Sequence, residues 1–174
     1  KINSVGDYYA NGIDIEGPAN GYVYDNVIDV TAKTSAYGIY SGMNGQNTTV
    51  DYFDNEITGE AYNVFGMSLG DVKSYVENAT IMLKGNYTTG LAYRGTNLTL
   101  KESRIVLTSS EVGNETVWEG FGVESVGVKI IKGNATVFNN TIATQGKGIH
   151  IAGNESNVDV EGNFINIVGN TDEN

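Results

Sequence analysis

The sequence predicts an all-β solenoid: one domain, residues 1–174, of about six stacked coils with few or no helices. Three observations lead there. A small or turn-forming residue followed by an apolar one returns about every 26 residues, with one interval of about 32, as Gly12-Ile13, Gly38-Ile39, Asn63-Val64, Gly90-Leu91, Gly122-Val123 and Gly148-Ile149. A second anchor runs out of phase with the first: Asp25-Asn26-Val27-Ile28, Asp54-Asn55-Glu56-Ile57, Glu77-Asn78-Ala79-Thr80-Ile81, Glu102-Ser103-Arg104-Ile105, Asn139-Asn140-Thr141-Ile142 and Gly162-Asn163-Phe164-Ile165. Between the anchors, apolar residues alternate with polar ones in short runs. Coils are thereby expected to begin near residues 12, 38, 63, 90, 122 and 148.

The elements follow from these patterns. Ile13-Asp14-Ile15, Tyr22-Val23-Tyr24, Leu98-Thr99-Leu100, Ile149-His150-Ile151 and Val158-Asp159-Val160 read as strands with one face inward. Clusters of Gly, Asn, Asp and Ser between them supply turns. Gly66 to Val76 comes nearest to a helical stripe, but two glycines interrupt it. Strands this short do not persist as isolated hairpins, whereas coils stacked at about 4.8 Å pair edge to edge and enclose an apolar column. The chain holds a single proline, as a ladder that uses nearly every backbone N–H requires. A β-sandwich is the rival architecture, but it does not demand the same residue types at the same place in six units. The one long insertion, residues 109–120, carries the only tryptophan, Trp118.

Composition narrows the function. At 174 residues the chain is one domain, and with no cysteine it has neither a disulfide framework nor a thiol nucleophile. Ten basic residues against 21 acids, at a net charge of −11, form no patch for nucleic acid. No run of 18 apolar residues predicts membrane insertion. No signal peptide is visible, and Lys1 in place of methionine reads as a processed or excised chain.

The sequence Gly-Ile, a turn asparagine, Thr-x-Val and then Asn-x-Ile, cleanest over Gly148 to Val168, resembles the repeats of pectate-lyase-like right-handed parallel β-helices. It is also similar to NosD-type carbohydrate-binding proteins and to archaeal adhesin-like surface proteins. The resemblance implies right-handed coiling. It separates no function, because such repeats serve lyases, tailspikes, adhesins and envelope proteins alike.

Aligned coils turn positions into columns. Asn26, Asn55, Asn78, Asn140 and Asn163, with Ser103 in the fourth unit, are expected to form an amide ladder along a turn. The preceding position collects Asp25, Asp54, Glu77 and Glu102, either a solvated edge or a set of oxygen ligands for Ca²⁺. No other cofactor is indicated. The outward position of the first strand reads Asp14, Tyr40, Phe65, Ala92, Glu124 and His150, the last being the only histidine and without a partner in the sequence.

Eight Asn-x-Ser/Thr sequons exceed the roughly three that composition predicts. Asn47, Asn97, Asn134 and Asn154 fall at the turn before the second strand; Asn86 and Asn114 read as loop sites and are the preferred glycosylation sites. Asn78 and Asn139 read as buried beside the anchor strand. Glycans would place the protein outside the cell or at its surface. All eleven tyrosines precede Arg94, as a half-buried ladder or as a stacking surface for sugars or a neighbouring subunit.

An enzyme of the resembling families would need a calcium-bound acidic cluster with a basic proton acceptor, or grouped aspartates with His and Arg-x-Lys elements. Only Arg94, Arg104 and one histidine are present, and Arg104-Ile105-Val106 lacks the lysine. The expectation is a non-catalytic structural subunit of a sheath, surface layer or filament. It would associate with copies of itself through solenoid edges and the Trp118 loop. A polysaccharide-binding or adhesin module is the alternative, ahead of a β-helical lyase or hydrolase.

Overall fold

The computed structural model describes residues 1–41, 48–70, 72–111, 124–153 and 156–168. In chain order the strands are β1 (Ile2–Gly6), β2 (Tyr9–Ile15), β3 (Asn20–Tyr24), β4 (Val27–Ala32), β5 (Ser35–Ser41), β6 (Thr48–Phe53), β7 (Glu56–Gly70) and β8 (Val72–Glu77). They continue as β9 (Thr80–Lys101), β10 (Arg104–Ser109), β11 (Val126–Phe138), β12 (Thr141–Thr144), β13 (Lys147–Ile151), β14 (Ser156–Glu161) and β15 (Phe164–Ile167). Every pairing is parallel, each strand meeting its counterpart one coil later, and no helix occurs among the described residues. The chain is a β-solenoid of about six turns.

Three faces make each coil. The first stacks β1, β4, the start of β7, the start of β9, β10, β12 and β15. On it Ile2, Ile28, Ile57, Ile81, Ile105, Ile142 and Ile165 share one register, an isoleucine column drawn from the second sequence anchor. The second face stacks β2, β5, the later part of β7, the middle of β9, the start of β11 and β13. Its inner column is Ile13, Ile39, Met67, Leu91, Val128 and Ile149. The third stacks β3, β6, β8, the end of β9, the end of β11 and β14, with Val23, Tyr52, Val76, Leu100, Val137 and Val160 inward.

The first sequence anchor marks a close approach between two faces. The residues before that inner column are Gly12, Gly38, Gly66, Gly90, Gly127 and Gly148. A Cβ at any of them would run into Cγ2 of the isoleucine on the first face, Ile28, Ile57, Ile81, Ile105, Ile142 and Ile165 respectively. Glycine is thus the residue that lets two sheets of a narrow coil close on a branched side chain. Two of the expected coil starts are corrected accordingly. The third coil takes Gly66-Met67 instead of Asn63-Val64, and Val64 sits earlier in the same strand, in register with Ala36. The fifth takes Gly127-Val128; Gly122 and Val123 lie outside the described residues. Corner lengths vary between coils, so even spacing chose the wrong glycine–apolar pair.

The turn from third face to first repeats a left-handed residue at Asp25 (φ 54°), Asp54 (52°), Asn78 (52°), Glu102 (53°), Asn139 (54°) and Gly162 (66°). Asp, Asn and Gly are the residues that adopt this conformation at least cost, which accounts for every member of the column except Glu102. Asn78 therefore belongs here and not to the amide ladder, where Ala79 takes its place. The remaining ladder forms as expected. Asn55 Oδ1 accepts the Asn26 backbone N–H at 3.3 Å, and Asn55 Nδ2 donates to the Val23 carbonyl at 2.7 Å. Asn140 Oδ1 accepts from Ser103 N–H at 2.9 Å, Asn163 Oδ1 from Asn140 N–H at 2.9 Å, and Ser103 Oγ from Ala79 N–H at 3.1 Å. Asn140 also donates to the Leu100 and Phe138 carbonyls. Asn140→Ala should therefore cost about 2–3 kcal/mol by stranding buried backbone groups, measurable by denaturant unfolding. A loss under about 0.5 kcal/mol would mean that water replaces the amide freely.

Candidate functional site

The expected calcium ligands do not converge. Asp25, Asp54 and Glu102 occupy the left-handed turn column, but Asn78 separates Asp54 from Glu102 and donates to Asp54 Oδ1 at 2.6 Å. Glu77 is a strand residue on the outer side of the third face, in register with Lys101 and paired with it at 2.8 Å. That hydrogen bond holds the Glu77 carboxyl below its usual range. No group of three or more His, Asp or Glu side chains able to hold a metal occurs among the described residues.

A charged cluster forms instead where the sequence indicated none. The outward column of the second face is Asp14, Tyr40, Ser68, Ala92, Lys129 and His150, so Phe65 and Glu124 leave their expected places. Glu124, just before β11, turns its carboxylate onto that column. Oε1 lies 2.7 Å from Lys129 Nζ and 2.7 Å from His150 Nδ1, and Oε2 lies 2.7 Å from Lys147 Nζ. An ionised carboxylate only accepts, so His150 carries its proton on Nδ1 there. Glu124 and Lys129 are buried, whereas Lys147 and His150 reach the surface. Burial pushes the Glu124 carboxyl up, but the hydrogen bonds from Lys129, Lys147 and His150 outweigh it and hold the group down at about 2. The signal in the sequence was a lysine within the apolar run Val126-Gly127-Val128-Lys129-Ile130-Ile131.

The tyrosines divide between core and surface. Tyr52 and Tyr93 are fully buried, and burial raises the Tyr52 phenol far above its usual value. Tyr37 stacks on Phe65 with centroids 4.9 Å apart and meets Tyr40 edge-on at 5.5 Å. On the outside of the third face, Tyr22, Phe53 and Tyr75 follow one another at 6.3 and 5.6 Å, and Lys101 Nζ lies 5.5 Å above the Tyr75 ring.

Of the sequons, Asn47, Asn114 and Asn154 lie outside the described residues, as does Trp118. Asn97 and Asn134 stand in register at the start of the third face, with Asn134 Nδ2 donating to Asn97 Oδ1 at 3.3 Å. Asn86 is not a loop residue. It lies within β9 at the corner between the first and second faces, half-buried in a groove of about 460 Å³ lined also by Tyr62, Lys84 and Ser110. Asn78 and Asn139, expected to be buried, are both exposed, because the left-handed turn aims them outward.

The two axial faces of the stack complete the picture. The first face has seven rungs and the other two have six among the described residues: β1, β2 and β3 open the three stacks together, and β15 adds a rung beyond β13 and β14, so the axial face at that end is a step. Ile81 and Ile105 are 0% exposed, but Ile165, in the same column, is 40% exposed, and its neighbours Ile151, Val160 and Ile167 are 47%, 48% and 56% exposed. At the opposite face Ile2, Ile13, Ile15 and Val23 are only half-buried. Compared with known proteins, the chain matches no family model, no curated protein and no solved structure.

Proposed function

We propose that the chain is a structural subunit of an extracellular assembly, such as a sheath, surface layer or filament, that associates with copies of itself through solenoid edges. One observation carries this reading: among the described residues, apolar side chains of the inner columns are sealed in the middle of the stack but exposed or half-buried at its axial faces. A coil from another copy would cover those side chains and extend the parallel ladder. Burial there is favourable at about 25 cal/mol per Å², and parallel pairing adds direction. Because the contact joins unlike faces, it propagates as an open polymer unless rotation closes it. The step means that a partner must also fill the second and third faces.

The reading is non-catalytic. The histidine is engaged by Glu124, and that carboxylate is committed to Lys129 and Lys147 as well, which suits a fixed charge better than a proton carrier. The excess of sequons supports an address outside the cell. Electron microscopy with sedimentation of the 174-residue chain should show linear or sheet-like polymers that grow with concentration. A monodisperse particle at every concentration would end the proposal.

The ring series Tyr22–Phe53–Tyr75 favours a second reading, a polysaccharide-binding module, since one exposed and two half-buried rings at neighbouring rungs offer faces to sugars. Polysaccharide pull-down that is lost in Tyr22→Ala and Tyr75→Ala, without polymer formation, would support it over the first.

A further inference from the structure

We infer that the chain carries N-linked glycans at Asn139, at Asn78 and at one member of the Asn97–Asn134 pair, and none at Asn86. The inference rests on the extracellular reading above and says where the sugars sit. Transfer to a sequon needs access to the asparagine amide and to the hydroxyl two residues later. Asn139 and Thr141 are both exposed. Asn78 is exposed, and Thr80, in register with Glu56 and Arg104 on the outer side of the first face, is half-exposed. The turn causes this: φ near +52° to +54° lifts the asparagine off the stack, and the residue two places on enters an outward column. At the other edge of the third face Asn134 and Thr136 are exposed, and Asn97 is exposed with Thr99 half-exposed. Asn86 fails on both counts. It is half-buried, while Thr88 is 0% exposed with its hydroxyl 2.5 Å from Ser109 Oγ.

The chemistry fits the hydrogen bonds. Nδ2 attacks the anomeric carbon of a lipid-phosphate-linked saccharide and the C–N bond forms. The bond from that carbon to the phosphate oxygen breaks, with its electron pair leaving on the lipid phosphate, and Nδ2 gives up one proton. The N–H that remains keeps the bond from Asn78 to Asp54, or from Asn134 to Asn97. Asn97 and Asn134 occupy adjacent rungs with their amides in contact, so the pair has room for one glycan. Sugars so placed bracket the third face from the third coil to the fifth. They leave both axial faces clear for assembly.

Glycopeptide mass mapping of the chain from its natural source tests this, with Thr141→Val, Thr80→Val and Thr88→Val expressed in the same cells. These variants remove sequons without touching a left-handed residue. Expected are modified peptides at Asn139, Asn78 and one of Asn97 and Asn134, with one glycan mass lost in Thr141→Val and in Thr80→Val and none in Thr88→Val. Occupancy at Asn86 with bare turn sites would overturn the placement and leave the extracellular reading standing. Bare polypeptide at all five positions would overturn the inference and remove its support for that address, while polymer formation would still be read separately by microscopy.

Discussion

Gly66→Ala is expected to lose at least about 3 kcal/mol of stability, the upper end of what overpacking a core costs. The added methyl would stand 2.5 Å from the Gly90 carbonyl oxygen and 2.5 Å from Ile81 Cγ2. Neither neighbour can step aside. The carbonyl belongs to the next rung of a parallel ladder, and Ile81 is fully buried in the isoleucine column. Moving either displaces the same contact one coil further on, since Gly90 in turn faces Ile105 and the carbonyl of Gly127. Gly21→Ala is the control: a Cβ there meets nothing within 4 Å, so its stability should stay near that of the wild type or rise by about 0.5 kcal/mol. Thermal and denaturant melts of both variants decide the matter. Equal stability would show that the two sheets separate easily at the glycine column.

This glycine column also explains how far the sequence could be read. The residue type was legible and so was the fold, because any narrow solenoid must repeat its close approach once per coil. The register was not legible in the third and fifth coils. Gly66 and Gly127 sit at uneven intervals, and spacing alone preferred Asn63 and Gly122. The second anchor was legible throughout, and its isoleucines Ile28, Ile57, Ile81, Ile105, Ile142 and Ile165 share one column, each three residues after the left-handed position of the turn. The acidic column misled for a related reason. Aspartate, asparagine and glycine recur there because of backbone φ, and a negative charge is incidental to that requirement. The Glu124 cluster was invisible because its members come from strand β11, from two residues before it, and from β13 in the next coil. Only Lys129, placed among apolar neighbours, gave a hint.

Glu124→Gln should be the other severe variant, with an expected loss of about 3–5 kcal/mol, because it removes the carboxylate charge that buried Lys129 meets at 2.7 Å. Gln keeps the shape and one carbonyl oxygen, so the effect reports charge and not volume. Lys84→Ala, at the exposed Lys84–Glu60 pair, should change stability by less than about 1 kcal/mol. Pairing Glu124→Gln with Lys129→Met should recover much of the loss, since a buried apolar side chain needs no partner. The same carboxylate sets an acid limb. Its folded value of about 2 lies below the ordinary 4.5, so the folded state binds its proton less readily than the unfolded chain does. The stabilisation it provides is present in full above about pH 4.5 and is lost as the pH falls toward 2. Melting curves of the wild type across that window should therefore decline more steeply than those of Glu124→Gln, in which this proton is absent. Parallel declines in the two proteins, or a Glu124→Gln variant within about 1 kcal/mol of wild type at neutral pH, would show that the cluster is a solvated ornament and that Lys129 is stabilised by something else.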